Sequence, residues 1–202
     1  MVPESTDWIM WLSHAAATLG PISQIPTLWR IATKKTADGV SLDLCGVGLV
    51  SYGIWIVLAG AVRPYMYVLV IVSASLALIQ TLYVRHLTRS PWTRVLGWLL
   101  AAWIGATLAG WSNLVALPLV LIIDVSWYWR AVSDMIGSQA ARAVSTWGWV
   151  CSFLTNGAWT FETIVNSAWV LGAQCAVLTL ASAVAWATAA TMHRRDGEKS
   201  QT

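Results

Sequence analysis

The sequence predicts an all-α integral membrane protein: seven transmembrane helices, built as two parallel three-helix repeats joined by a linker helix (3+1+3). Three observations predict it. Apolar residues make up 57% of the 202 positions and charged residues only 10%, with a mean hydropathy of +0.64, whereas soluble domains carry roughly 25% charged residues. The apolar residues gather into runs of the length that a bilayer-crossing helix needs, about 20. The basic residues sort to one side of those runs, and a stretch near the start of the chain is echoed at a shift of 104 residues.

Composition also excludes other classes. Fifteen Trp suit membrane interfaces and the interior of a bundle. The formal charge is +3, but the basic residues are dealt out among loops rather than gathered in a patch, so no nucleic-acid partner is expected. Cys45, Cys151 and Cys175 lie inside apolar runs with no CxxC or metal-ligand spacing, which reads as packing. No metal and no cofactor are expected. Glu4 and Asp7 precede the first apolar run and no basic residue does, unlike a signal peptide, so the first helix is expected to be retained.

The first helix is expected from Trp8 to about Ile31, interrupted by Pro21 and Pro26, and the second from about Leu42 to Val62, rich in glycine. The third lies between Arg63 and Arg85. The fourth starts near Trp92, with Gly97, Ala101, Gly105 and Ala109 every fourth position, a stripe that lets a neighbouring backbone approach. The fifth runs from about Ser112 to Arg130 and holds Asp124, the one acid placed deep inside a helix. The sixth runs from about Ser145 to Phe161 and the seventh from about Ser167 to Met192, followed by a polar tail expected to be disordered. A single helix from Val95 to Trp129 would be roughly 50 Å long, against a hydrocarbon core of about 30 Å, so the chain must turn at Gly110-Trp111-Ser112-Asn113. The units are then 1–91, a linker at 92–111, 112–193 and a cytoplasmic tail at 194–202.

Charge placement gives an orientation. With seven spans and the N-terminus outside, Arg30, Lys34, Lys35, Arg85, Arg89, Arg94, Arg130, Arg142, Arg194, Arg195 and Lys199 all fall inside, and only Arg63 outside. The positive-inside rule thus predicts a multi-pass cell-membrane protein with a cytoplasmic C-terminus.

The shift of 104 aligns Val40-Ser41 with Val144-Ser145 and Gly53-Ile54-Trp55 with Gly157-Ala158-Trp159. Parallel repeats place a substrate site near the midplane, where the units meet.

The stretch Ser23-Gln24-Ile25-Pro26-Thr27-Leu28-Trp29-Arg30-Ile31 resembles the SPxPTFxRI pattern of the SWEET and PQ-loop transporter superfamily. Lys34-Lys35-Thr36-Ala37-Asp38-Gly39-Val40-Ser41 resembles its basic KKSTxG turn, and Tyr52-Gly53-Ile54-Trp55 sits where that family carries its second-helix Trp. The motif match covers Ser23 to Trp55. The resemblance implies a carrier that moves a small neutral solute, a sugar first, by alternating access; nothing in the sequence resembles a nucleotide-binding loop, so energy input from ATP is not expected. It implies that Trp55 and Trp159 stack on the solute from two sides, which suits the apolar face of a sugar ring. Ser51 and Thr155, one turn earlier on the same face, would bond its hydroxyls; the alternative is a hydroxyl bonded to its own helix carbonyl. Tyr52 and Asn156 point about 100° away and are second candidates. The family's third-helix Asn position is Val70 in the first unit and Gln174 in the second, so Gln174 is a candidate for solute or for helix–helix bonding. Pro26 would be a gating hinge, and its counterpart in the second unit falls at about Ser126, without a proline.

Asp124 is a functional candidate by its depth alone: a proton site, or a hydrogen-bonded acid that fixes helix five against helix one. The proton role would make the chain a proton-coupled amino-acid carrier, the alternative to a sugar carrier. A membrane receptor or scaffold without transport is the alternative from another class. An enzyme is not expected, since no nucleophile accompanies His14 and Asp124. The lipid bilayer and a small-molecule substrate are the partners, and a homo-oligomer is compatible with the sequence.

Overall fold

The computed structural model describes the backbone of residues 5–62 and 64–199, in seven helices: α1 Ser5–Lys34, α2 Leu42–Val62, α3 Pro64–Thr88, α4 Trp92–Trp111, α5 Asn113–Ser138, α6 Thr146–Val165 and α7 Trp169–Lys199. Arg63, the one basic residue assigned to the outside, and residues 200–202 of the expected tail lie outside the described residues. The rest of that tail is helical, because α7 continues to Lys199. α1 runs through Pro21 and Pro26 as one helix. The turn between α4 and α5 falls at Ser112.

The expectation of seven membrane spans in a 3+1+3 arrangement is corrected. Among the described residues five helices are long and apolar enough to cross a membrane: α2, α3, α4, α5 and α7. α1 and α6 fall short because they carry polar residues such as Ser23 and Gln24 on α1, and Ser152, Asn156, Glu162 and Thr163 on α6. Nor do the contacts divide the helices into two separate three-helix bundles, since α1 packs on α6 and α2 on α5. In the order α2, α3, α1, α6, α7, α5, six helices pack in a closed ring, each on the next, and α4 lies outside it against α2 and α5. Large apolar side chains on the outer surface, Trp111, Trp129, Trp11 and Trp147 among them, are at least 70% exposed. That much outward apolar surface fits a protein embedded in lipid.

Of the small stripe on α4, Gly105 and Ala109 are buried, Gly105 against Ile54 and Val50 of α2, while Gly97 has nothing near it. α2 answers with glycines of its own: a Cβ at Gly53 would stand 2.9 Å from the Ala102 carbonyl, and one at Gly46 would collide with the Trp98 ring. Close backbone approach at small residues is how apolar helices gain contact where lipid competes for apolar surface.

The shift of 104 recurs in three dimensions. α1 and α5 end at Lys34 and Ser138, each followed by a left-handed residue, Lys35 (φ 51°) and Gln139 (φ 49°), a usual helix stop. Val40 then donates to the Ala37 carbonyl at 2.8 Å, and Val144 to the Ala141 carbonyl at 3.0 Å. The hydroxyls of Ser41 and Ser145 accept from the N–H of Leu44 and Gly148, starting α2 and α6 alike.

The two loops that these turns form meet. Ala143 N–H donates to the Asp38 carbonyl at 3.2 Å. Gly39 (φ +83°) packs so tightly on the other loop that a Cβ would stand 2.8 Å from the Ala140 carbonyl. Around them Arg30 donates to the Val144 carbonyl at 3.0 Å, with His193 of α7 beside both, and Arg94 and Arg130 pair with Asp43 at 2.7 and 3.5 Å. The largest buried cluster sits at this basic end, joining Ile31, Val40, Leu44, Val84, Val95, Met135, Val144 and Met192.

Candidate functional site

Beyond that packed end the ring encloses a cavity of about 560 Å³. Its lining comes from the middle of the ring and from the ends remote from the loops, including Leu58 of α2, Met66 of α3, Leu117 of α5, Asn166 after α6 and Leu171 of α7. Toward the basic end Trp127, Tyr128 and Trp149 pack ring against ring, with centroids 5.0 to 5.7 Å apart, and Gly148 of α6 sits hard against the Ser23 carbonyl of α1.

All seven residues singled out for the solute line this one cavity: Ser51, Tyr52, Trp55, Thr155, Asn156, Trp159 and Gln174. Asp124 and Val70 line it as well. Pro26 does not; it is half-buried on α1 outside the lining, and Pro21, one turn earlier, lines the cavity instead. Because α1 and α5 both end in step at the 104 shift, the counterpart of Pro26 is Arg130 and not Ser126, a correction to the expected register.

Asp124 is buried on α5 and bonded to α2, where α1 was expected. The Ser51 hydroxyl donates to one carboxyl oxygen, and the Trp55 indole N–H donates to the other at 3.3 Å. Both carboxyl oxygens therefore accept from neutral donors, and the acid fixes the rotamer of Trp55. Ser51 spends its hydroxyl on the acid and does not bond its own helix.

One turn along, the walls are tied in matching ways. Gln24 of α1 donates through Nε2 to the Tyr52 hydroxyl at 3.0 Å, and Asn156 donates through Nδ2 to the Tyr128 hydroxyl of α5 at 2.8 Å. Gln24 matches Tyr128 and Tyr52 matches Asn156 at the shift of 104, so the same amide–phenol bond recurs with its partners exchanged between helices. Tyr52 and Asn156 thus hold helices together while lining the cavity.

The second wall is less complete. Thr155 Oγ1 and Gln174 Nε2 are buried with no hydrogen-bond partner among the described residues, and Gln174 is 5% exposed. Buried polar atoms in that state are costly unless something else satisfies them.

Sequence reasoning missed Glu162, which is buried inside α6 and lines the cavity. A helix ending at Phe161 puts Glu162 in a loop and makes Asp124 the one acid deep inside a helix; α6 instead continues to Val165. Tyr128, Trp127 and Ser152 also line the cavity; Tyr128 could have been found as the residue 104 beyond Gln24. His14 stacks on Tyr65, with ring centroids 4.1 Å apart. Among the described residues no group of His, Cys, Asp and Glu is placed to hold a metal ion.

Comparison with protein-family models, with curated proteins and with solved structures gave no match.

Proposed function

We propose that the chain is a membrane carrier that takes a small neutral solute into this cavity and releases it on the other side, a sugar being the solute that its resemblance to SWEET transporters favours. The observation that supports the reading is the convergence of Trp55, Trp159, Ser51, Thr155 and Gln174 on one cavity whose basic end is sealed by the contact between two loops. Aromatic faces on a largely apolar wall, with a few hydroxyl and amide groups, suit a sugar-sized ligand. A solute reaching the cavity from the end remote from the loops is stopped at Trp127, Tyr128 and Trp149. Transport then requires the loops around Gly39 and Ala143 to part while the opposite end closes. With the basic end facing the cytoplasm, the conformation described is the one that receives solute from outside.

Uptake into proteoliposomes across a panel of sugars, with and without a pH gradient, tests this reading. Trp55→Ala and Trp159→Ala should each abolish uptake while folded protein stays in the membrane, and Trp186→Ala, outside the cavity, should not. Equal loss in all three would reduce the two Trp to packing. A cysteine probe at Ser138 should label from the cytoplasmic side only and one at Asn166 from outside only; the reverse pattern would invert the orientation.

A further inference from the structure

At the shift of 104 the two walls share their Ser/Thr–Trp pair, Ser51 and Trp55 on α2 and Thr155 and Trp159 on α6, and they differ in what those pairs meet. On the first wall the Ser51 hydroxyl and the Trp55 N–H donate to the carboxyl of Asp124. On the second wall Thr155 and Trp159 stand at the matching positions of α6, but the residue matching Asp124 is Gly20 of α1. Its equivalence is fixed one turn further on by the Gln24–Tyr52 and Tyr128–Asn156 bonds. Gly20 lines the cavity, and nothing lies within 4 Å of where its Cβ would be. The donors are present, the acceptor is missing, and the space for it is open. Among the described residues Thr155 Oγ1 lacks a partner, as does Gln174 Nε2, which lines the same cavity.

We propose that an oxygen of the solute takes the place beside Gly20 that Asp124 fills across the cavity, accepting from Thr155, from the Trp159 indole and from Gln174. This rests on the reading of the cavity as a solute site and gives it a direction. Trp55 meets the solute with its ring face, because its N–H is committed to Asp124, whereas Trp159 meets it with its N–H. The oxygen is uncharged, a hydroxyl or carbonyl. Asp124 and Glu162 line the cavity and no Lys, Arg or His does among the described residues, so an anion would be repelled. The solute therefore binds in one orientation although its two walls are built from one pattern.

The test inserts the missing acceptor. Gly20→Asn carries a neutral carbonyl oxygen into the open space, and Gly20→Ala carries none. Equilibrium dialysis with labelled glucose should show Gly20→Asn binding at least about tenfold more weakly than the wild type, the scale of one strong hydrogen bond lost, and more weakly than Gly20→Ala. Among the monodeoxy-glucoses, one should lose about the same factor in the wild type and lose nothing further in Thr155→Val. Independently of any solute, Gly20→Asn should raise Tm by about 2–4 °C, and this gain should vanish in the Thr155→Val background. Undiminished glucose binding by Gly20→Asn overturns the inference. If glucose does not bind at all, the sugar reading fails, and the Tm pair decides the subsite alone: a gain that depends on Thr155 upholds it, and a gain independent of Thr155, or none, overturns it.

Discussion

The α2 wall and the α6 wall of the cavity share a pattern and differ in what completes it. On α2, Ser51 and Trp55 are bound to an acid from α5, and the wall is finished without a ligand. On α6, Thr155 and Trp159 line the same cavity as Gly20, which stands where the acid would be, and among the described residues Thr155 Oγ1 is left without a partner. One sequence pattern has thus produced a wall that is fixed in advance and a wall that waits. A binding site benefits from both, since preorganised groups lower the entropy lost on binding and unsatisfied ones supply the discrimination.

The sharpest way to break this comparison is to remove the acid. Asp124→Ala strands two buried donors and should lower stability by about 3 kcal/mol, the sum of two unsatisfied groups. Gly20→Ala, in the matching place, should leave stability unchanged or raise it by up to about 1 kcal/mol, the helix preference for Ala over Gly. Thermal unfolding in detergent measures both. A loss below 1 kcal/mol at Asp124 would mean that water satisfies Ser51 and Trp55 readily, and the walls would then be alike.

Much of the cavity lining was legible because it is written locally. Ser51 and Trp55, like Thr155 and Trp159, lie four residues apart and must share a helix face, and the shift of 104 then pairs them across the cavity. What the acid binds was not legible. Ser51 and Asp124 are separated by 73 positions, and their meeting depends on how α2 and α5 rotate about their axes, which periodicity leaves open in helices apolar all round. The count of spans failed for a related reason. α1 and α6 carry Ser, Thr, Gln, Asn and Glu among their apolar residues, several of them lining the cavity, so they have helix length without a membrane-spanning composition. Glu162 was lost to a boundary error of a few residues, the usual weakness at helix ends.

A smaller effect is expected in the loops. Gly39 has φ +83° and its Cβ position lies 2.8 Å from the Ala140 carbonyl, whereas its counterpart in the other loop is Ala143. Gly39→Ala should cost about 2 kcal/mol through strain and the forced separation of the loops. Ala143→Gly should cost under about 1 kcal/mol. Equal costs would show that the two turns bear the contact equally. The smallest effect sharpens the match between the walls. Tyr52→Phe and Tyr128→Phe each remove the acceptor of one amide–phenol bond, so each should cost about 1 kcal/mol, and the two values should agree although the partners are exchanged between helices.

The place of α4 has a mechanical consequence. It lies along α2 with glycine contacts at Gly46, Gly53 and Gly105, and it reaches α5 as well. The α2 wall is therefore splinted from outside by a helix that belongs to neither wall. Among the described residues no helix outside the ring backs α6, whose neighbours are α1 and α7. Stiffness is thus unequally shared, and when the loops part, α2, α4 and α5 should travel as one body while α6 bends and turns against it. Amide exchange would register this as slow opening along Leu49–Trp55 and faster opening along Phe153–Trp159. The hinge of such a motion would then be a compliant wall working against a braced one, with no proline needed to make it.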